Sequence, residues 1–128
     1  MRELTSNIIS AAIEVHRVLG PGLLEKVYQR CLQIELQDRG FAVQSELDFP
    51  AHYKGRLVDD FGFRMDLLVE DKVIVEVKSQ KAVEPVHKKQ LLTYLRQTEK
   101  EIGLLINFNV VLLKDGLYRV ANSYSATY

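Results

Sequence analysis

The spacing of apolar residues divides the chain into a short series of elements. Ile8, Ala12, Val15 and Leu19 recur at helical spacing, with Thr5 or Ser6 as N-cap and Gly20-Pro21-Gly22 as the stop. A second helical pattern runs from about Leu23 to Arg39 and ends at Gly40. It carries one apolar row of Leu24, Val27, Cys31 and Ile34 and a neighbouring row of Tyr28, Leu32 and Leu36. Val43 to Tyr53 alternates as a half-exposed strand, and Pro50 puts it at an edge or a bulge. Lys54-Gly55 turns into a second strand, which passes Asp59-Asp60. Pro85 suits the start of a third helix, Val86 to Gln97, with Leu91, Leu92 and Leu95 inward. Ile102 to Phe108 is apolar throughout and reads as a central strand. Val110–Leu113 and Leu117–Val120 flank Asp115-Gly116, a two-residue hairpin signal, and Ala121 to Tyr128 reads as a frayed end.

The most informative stretch is the hairpin from Phe61 to Lys78, two apolar runs about the polar turn Glu70-Asp71-Lys72. Three charges interrupt it: Asp66, Glu76 and Lys78. Buried strands carry charges only with a partner or a task. Strand alternation puts Glu76 and Lys78 on the face of Ile74. It puts Asp66 with Arg64 and Leu68, opposite Phe63, Met65, Leu67 and Val69. A three-residue loop pairs Val69 with Val73 and sets Asp66 across from Glu76. Their Cβ atoms would then be roughly 5 Å apart, which a divalent ion can bridge through oxygen ligands. A two-residue loop would separate the carboxylates to opposite faces. The competing reading is an ion-paired sheet face, with Lys78 neutralising Asp66 or Glu76.

Composition narrows the class. The 128 residues, 47% apolar and 27% charged, suffice for one domain with a core, taken here as 1–128. No apolar run spans a membrane, and the first residues lack a signal-peptide pattern, so a cytoplasmic location is the default. The single Cys31 excludes an internal disulfide and a cysteine-rich zinc site and reads as core. Formal net charge is zero, so nucleic-acid binding needs a local patch. Between Lys78 and Arg96 there are five basic residues, among them Lys81, Lys88 and Lys89, against one acidic residue. His16 and His87 read as bystanders. Glu25, at the head of the Tyr28 row, either serves as the N3 carboxylate of its helix with Gly22 as N-cap, or points at the sheet and adds a carboxylate to a metal site.

The order is helix, strand, strand, strand, helix, strand, with Asp66 on the second strand and Glu76-Val77-Lys78 on the third. This resembles the PD-(D/E)xK nuclease superfamily over nearly the whole chain. Gln90-Leu91-Leu92-Thr93-Tyr94 looks like the helical Gln-x-x-x-Tyr of its recombination-exonuclease branch, whose extra helical glutamate matches Glu25. Gly22-Leu23-Leu24-Glu25-Lys26-Val27-Tyr28 fits the GxxExxY signature of a family of small bacterial and archaeal proteins. Asp66-Leu67-Leu68-Val69 and Gly103 to Phe108 look like that family too. One departure is Met65 where the motif's proline would stand.

The resemblance implies an α/β (α+β) fold with a restriction-endonuclease-like core, its mixed sheet flanked by helices. It implies a nuclease using Mg²⁺ or Mn²⁺ and acting on DNA in preference to RNA. Asp66, Glu76, the Val77 carbonyl and Glu25 would hold the ion. Lys78 would complete the catalytic set. Gln90, Tyr94, Lys81, Lys88 and Lys89 would contact nucleic acid. The alternative is a non-catalytic nucleic-acid- or protein-binding module of the same fold, or a nuclease subunit active only with a partner. A homodimer or an accessory protein subunit fits the small size.

Overall fold

The computed structural model describes residues 1–123. In chain order its elements are α1 (Arg2–Leu19), α2 (Glu25–Asp38), β1 (Val43–Tyr53), β2 (Arg56–Val69), β3 (Val73–Lys78), α3 (Pro85–Thr98), β4 (Ile102–Asn107), a 3-10 turn (Leu113–Gly116) and β5 (Leu117–Ala121). The strands of these residues form one five-stranded sheet in the order β1-β2-β3-β4-β5. β3 and β4 run parallel, because α3 carries the chain from the end of one to the start of the other. The other neighbours are antiparallel, so the sheet is mixed.

Two apolar layers enclose the sheet. α1 and α2 cover one face through Ile8, Val15, Tyr28 and Leu32, packed with Leu67, Val75 and Val77. α3 covers the other through Leu91 and Leu95, packed with Met65, Leu68, Ile74 and Leu105. β3 and β4 are sandwiched between these layers, which is why their sequences are apolar on both faces. β1 is an edge strand, and its register shifts between Phe49 and Ala51, at Pro50. That is where a residue without an N–H does least harm to a ladder.

Four details depart from the sequence expectations. α1 begins at Arg2, so Thr5 lies inside it; its buried hydroxyl donates to the Arg2 carbonyl at 2.9 Å instead of capping. On α2 only the Tyr28, Leu32, Leu36 row is buried; Leu24 is 78% and Ile34 57% exposed. A helix lying on a sheet has a single covered stripe; of the second row only Cys31, half-buried against the core, reaches its edge. Ala121 closes β5 instead of fraying, and the Asn122 N–H donates to Glu101; residues 124–128 lie outside the described residues.

The fourth is the expected hairpin at Asp115-Gly116. Leu113–Gly116 is a helical turn, and β5 pairs with β4, Ile106 facing Leu117. The buried row of β4 offers more apolar surface than Val110–Leu113 could. Gly116 is needed for close approach: a Cβ there would stand 2.1 Å from the Asn107 carbonyl oxygen. Gly116→Ala should therefore destabilise the protein by about 3 kcal/mol in chemical denaturation. A loss within the roughly 0.5 kcal/mol of a neutral surface change would show that the turn moves freely.

Candidate active site

The turn between β2 and β3 sets the register. The Lys72 N–H donates to the Val69 carbonyl at 3.0 Å. Glu70 and Asp71 between them take left-handed φ of 54° and 55°. Such a conformation costs a non-glycine residue on the order of 1 kcal/mol. Two contacts offset it: the Glu70 carboxylate accepts the Ala42 N–H at 2.6 Å, and Lys100 lies 3.5 Å from the Asp71 carboxylate. Val69 then faces Val73, and the ladder continues through Leu68↔Ile74 to Leu67↔Val75. This is the three-residue-loop register, in which Asp66 comes next opposite Glu76.

At Asp66 the ladder stops and the strand changes face. Phe63 and Met65 pack with the α3 layer, whereas Leu67 and Val69 pack with the α1/α2 layer. Strict alternation would have put all four on one side. The β1–β2 register is constant from Val43↔Val69 to Phe49↔Phe63 except at Glu46 and Asp66, which do not pair. Glu46 has a left-handed φ of 52°. Both strands thus turn over together, and β2 parts from β3. The groups freed at this fork find other partners. The Asp66 carbonyl accepts a hydrogen bond from the Gln29 side chain at 3.4 Å, and its carboxylate accepts the Val77 N–H at 2.8 Å. The carboxylate so replaces a missing ladder bond and is held toward β3.

Glu76 is the anomalous group. It is 7% exposed, and its Oε1 is buried without a hydrogen-bond partner. Burial, reinforced by the neighbouring Asp66 charge and a hydrogen bond between the two carboxyls, pushes its pKa up to about 9. Lys78 opposes this shift from two residues on, but more weakly. Tyr94 of α3 completes the wall. Its hydroxyl pKa is raised by burial and by the charges of Glu76 and Asp66, and its ring stacks on Phe63 at 4.5 Å. Asp66, Glu76, Lys78 and Tyr94 are thus brought into electrostatic contact. An ion-paired sheet face would leave Glu76 ionised and satisfied, which is not what the geometry favours.

Glu25 is the first residue of α2 and makes no side-chain cap. Its carboxylate accepts the Ser79 N–H at 3.4 Å, just beyond the end of β3. It points at the sheet, not at its own helix. Gln29, one turn further along α2, was not legible as a site residue, because a buried glutamine gives no signal until its partner strand is known.

Of the remaining candidates, Gln90, Lys81 and Lys89 are exposed on and before α3. Lys88 sits over the Tyr118 ring, 4.1 Å from its centre. His87 Nδ1 accepts the Glu84 N–H at 3.0 Å and so caps α3. His16 donates to the Val110 carbonyl at 2.8 Å and ties down the chain after β4. Asp59 accepts the Phe61 N–H at 2.8 Å in the exposed outer part of β2.

Among the described residues no three His, Cys, Asp or Glu side chains gather closely enough to form a complete ligand cage. The acidic pair nevertheless fits a hard cation. Two adjacent carboxylates, one with an orphaned buried oxygen, supply hard oxygen donors whose mutual repulsion a positive ion would relieve. Mg²⁺ in particular binds through one or two carboxylates and keeps several waters.

Residues 2–120 match the family model described as the PD-(D/E)XK nuclease superfamily. Among solved structures, an alkaline exonuclease from Laribacter hongkongensis is similar at a TM-score of 0.45 and 15% identity, over 91% of this chain and 78% of that one. That likeness is too distant to bear on activity. No curated protein matches the chain. The family match takes in every element from α1 to β4 and with them the acidic fork and Lys78. The chain belongs to the PD-(D/E)XK nuclease superfamily.

Proposed function

We propose that the protein is a Mg²⁺- or Mn²⁺-dependent nuclease that hydrolyses phosphodiester bonds in DNA, with RNA the lesser alternative, and that it falls in the GxxExxY group. The observation that carries this reading is the Asp66–Glu76 contact, in which a buried carboxyl with an unsatisfied oxygen is raised to about 9 beside a second carboxylate. Buried acids so destabilised cluster at functional sites. Asp66, Glu76 and the Val77 carbonyl would hold the ion, with Glu25 joining directly or through water. When bound, it would neutralise charge on the scissile phosphate and acidify a water. In the hydrolysis a water would add to phosphorus as one P–O ester bond breaks, and a proton from the water would pass to the departing oxygen, which would leave as a hydroxyl. Lys78 stabilises the charge that builds up on the phosphorane. A cation set beside the Glu76 carboxyl suits this electrostatic role.

Gln90, Tyr94 and the cations Lys81, Lys88 and Lys89 would contact the strand. Binding should then weaken as salt rises. Replacing Lys81 and Lys89 together with Ala should reduce the log–log salt slope by about 2 on duplex DNA. Lys88→Ala should change it less, because Lys88 is already engaged by Tyr118. An unchanged slope in the double variant would move the nucleic-acid face elsewhere. The activity itself is tested by incubating the purified protein with single- and double-stranded oligonucleotides, with and without Mn²⁺.

The exposed row of Leu24, Val27 and Ile34 on α2 favours a second reading, a nuclease subunit that works with a partner or a second copy. Cleavage seen only after a partner is added would select it.

A further inference from the structure

We infer that Tyr28, Ser79 and Asn107 form a positioning clamp that fixes Lys78 and Glu25 relative to one another. The inference rests on the nuclease reading above. β3 ends at Lys78, and the chain beyond an exposed strand end is ordinarily loose. Here its main-chain groups are taken up one after another. The Lys78 carbonyl accepts the Phe108 N–H at 2.9 Å. The Ser79 N–H goes to Glu25. The Asn107 side chain pairs with Gln80 in both directions, accepting its N–H at 3.1 Å and donating to its carbonyl at 2.9 Å. Asn107 is 2% exposed and stands beside Lys78 in the β3–β4 register.

The other jaw is the loop before α2. Gly20 and Gly22 in that loop have left-handed φ of 71° and 103°, which glycine adopts most readily. Tyr28 gives it a fixed shape. Its hydroxyl donates to the Gly20 carbonyl at 2.5 Å and accepts the Leu23 N–H at 3.1 Å. Its fully buried ring stacks on Phe108 at 4.6 Å, nearly parallel. The Ser79 hydroxyl closes the clamp by donating to the Leu23 carbonyl at 2.6 Å. The Gly and Tyr of the Gly22-x-x-Glu25-x-x-Tyr28 motif thereby acquire a physical reason. Gly22 permits the loop, Tyr28 locks it, and Glu25 is delivered to the end of β3.

None of the three touches the scissile bond, so they are positioning residues. Outer partners of this kind are worth about 10- to 100-fold in metal affinity or activity. Ser79→Ala removes one half-exposed hydroxyl and leaves the core intact. It should lower kcat for Mn²⁺-dependent cleavage about 10-fold or more and weaken Mn²⁺ binding, with KM and Tm nearly unchanged. Ser79→Thr should restore both. Tyr28→Phe, which keeps the ring stack, should follow Ser79→Ala in Mn²⁺ titration and should speed amide exchange at Ser79 and Gln80. Wild-type kcat and Mn²⁺ affinity in Ser79→Ala would overturn the clamp while leaving the nuclease reading in place. A loss of activity that tracks only a fall in Tm, and that Thr does not restore, would also overturn it. A parent protein that neither binds Mn²⁺ nor cleaves would remove the nuclease reading and this inference with it.

Discussion

Asp66→Asn should reduce Mn²⁺-dependent cleavage of DNA by at least about a hundredfold, the scale on which losing one preorganised electrostatic contact lowers kcat. It should also weaken Mn²⁺ binding. The substitution is nearly isosteric, and an amide oxygen can still accept the Val77 N–H that the carboxylate accepts at 2.8 Å. The fork between β2 and β3 should therefore survive. Because the Asp66 charge is one cause of the raised Glu76 pKa, the variant should melt no lower than the parent at neutral pH. Lys78→Ala should lose comparable activity while binding Mn²⁺ about as well, since it removes a cation and not a ligand. An ion-paired sheet face gives the opposite pattern: breaking a buried pair costs on the order of 3 kcal/mol and touches no activity. Melting curves, Mn²⁺ titrations and a cleavage assay on the three proteins separate the two. A large loss of stability in Asp66→Asn, with no cleavage by the parent on any DNA tested, would remove the catalytic reading for the isolated chain.

Glu76→Gln should stabilise the metal-free protein at pH 7 by on the order of 3 kcal/mol, from about 1.4 kcal/mol per pH unit across the shifted range. The sign follows from proton counting. An unfolded glutamate loses its proton near the ordinary value of 4.5, whereas the folded one keeps it to about 9. Between those values the folded state binds more protons than the unfolded one, so stability falls as pH rises. The contribution is fully present below about pH 4.5 and gone above about 9. Gln keeps the shape and hydrogen-bonding capacity of the neutral form at every pH. The parent's decline in denaturation midpoint from pH 5 to pH 8 should therefore flatten in the variant. Mn²⁺ added at pH 8 should raise the parent's Tm by mass action and leave that of the variant unmoved. Parallel stability profiles for parent and variant would show that Glu76 is not the strained group the geometry makes it.

Much of this site could be read from residue order. The β-branched run Val73–Val77 with a charge at Glu76, and the polar turn Glu70-Asp71-Lys72, imply a buried hairpin with a carboxylate on each strand. The observed pairing of Val69 with Val73 follows the three-residue loop. Periodicity also gave the extents of β1 and α3 to within a residue or so, because hydrophobic spacing is a local property.

What pattern reading missed has a common origin. Alternation assigned Phe63, Met65, Leu67 and Val69 to one face, but the strand turns over at Asp66 where β1 turns over at Glu46. Nothing near Asp66 announces this, since the compensation comes from Gln29 on a distant helix and from the Val77 main chain. The Asp115-Gly116 turn failed for the same reason: two adjacent segments had the chemistry of a hairpin, yet β4 was the better partner for β5.

The sequence by itself determined the order of elements as far as β4 and, given a three-residue loop, which acids the β2–β3 pair could bring together. Those depend on local periodicity and on the parity of one short loop. Only the tertiary structure decided that Glu76 is buried with an unsatisfied oxygen, that Glu25 faces Ser79 instead of capping its helix, and that Leu24, Val27 and Ile34 of the second apolar row on α2 stay exposed. Burial, orphaned atoms and shifted pKa values are sums over neighbours far apart in the chain, and they exist only once the layers have closed.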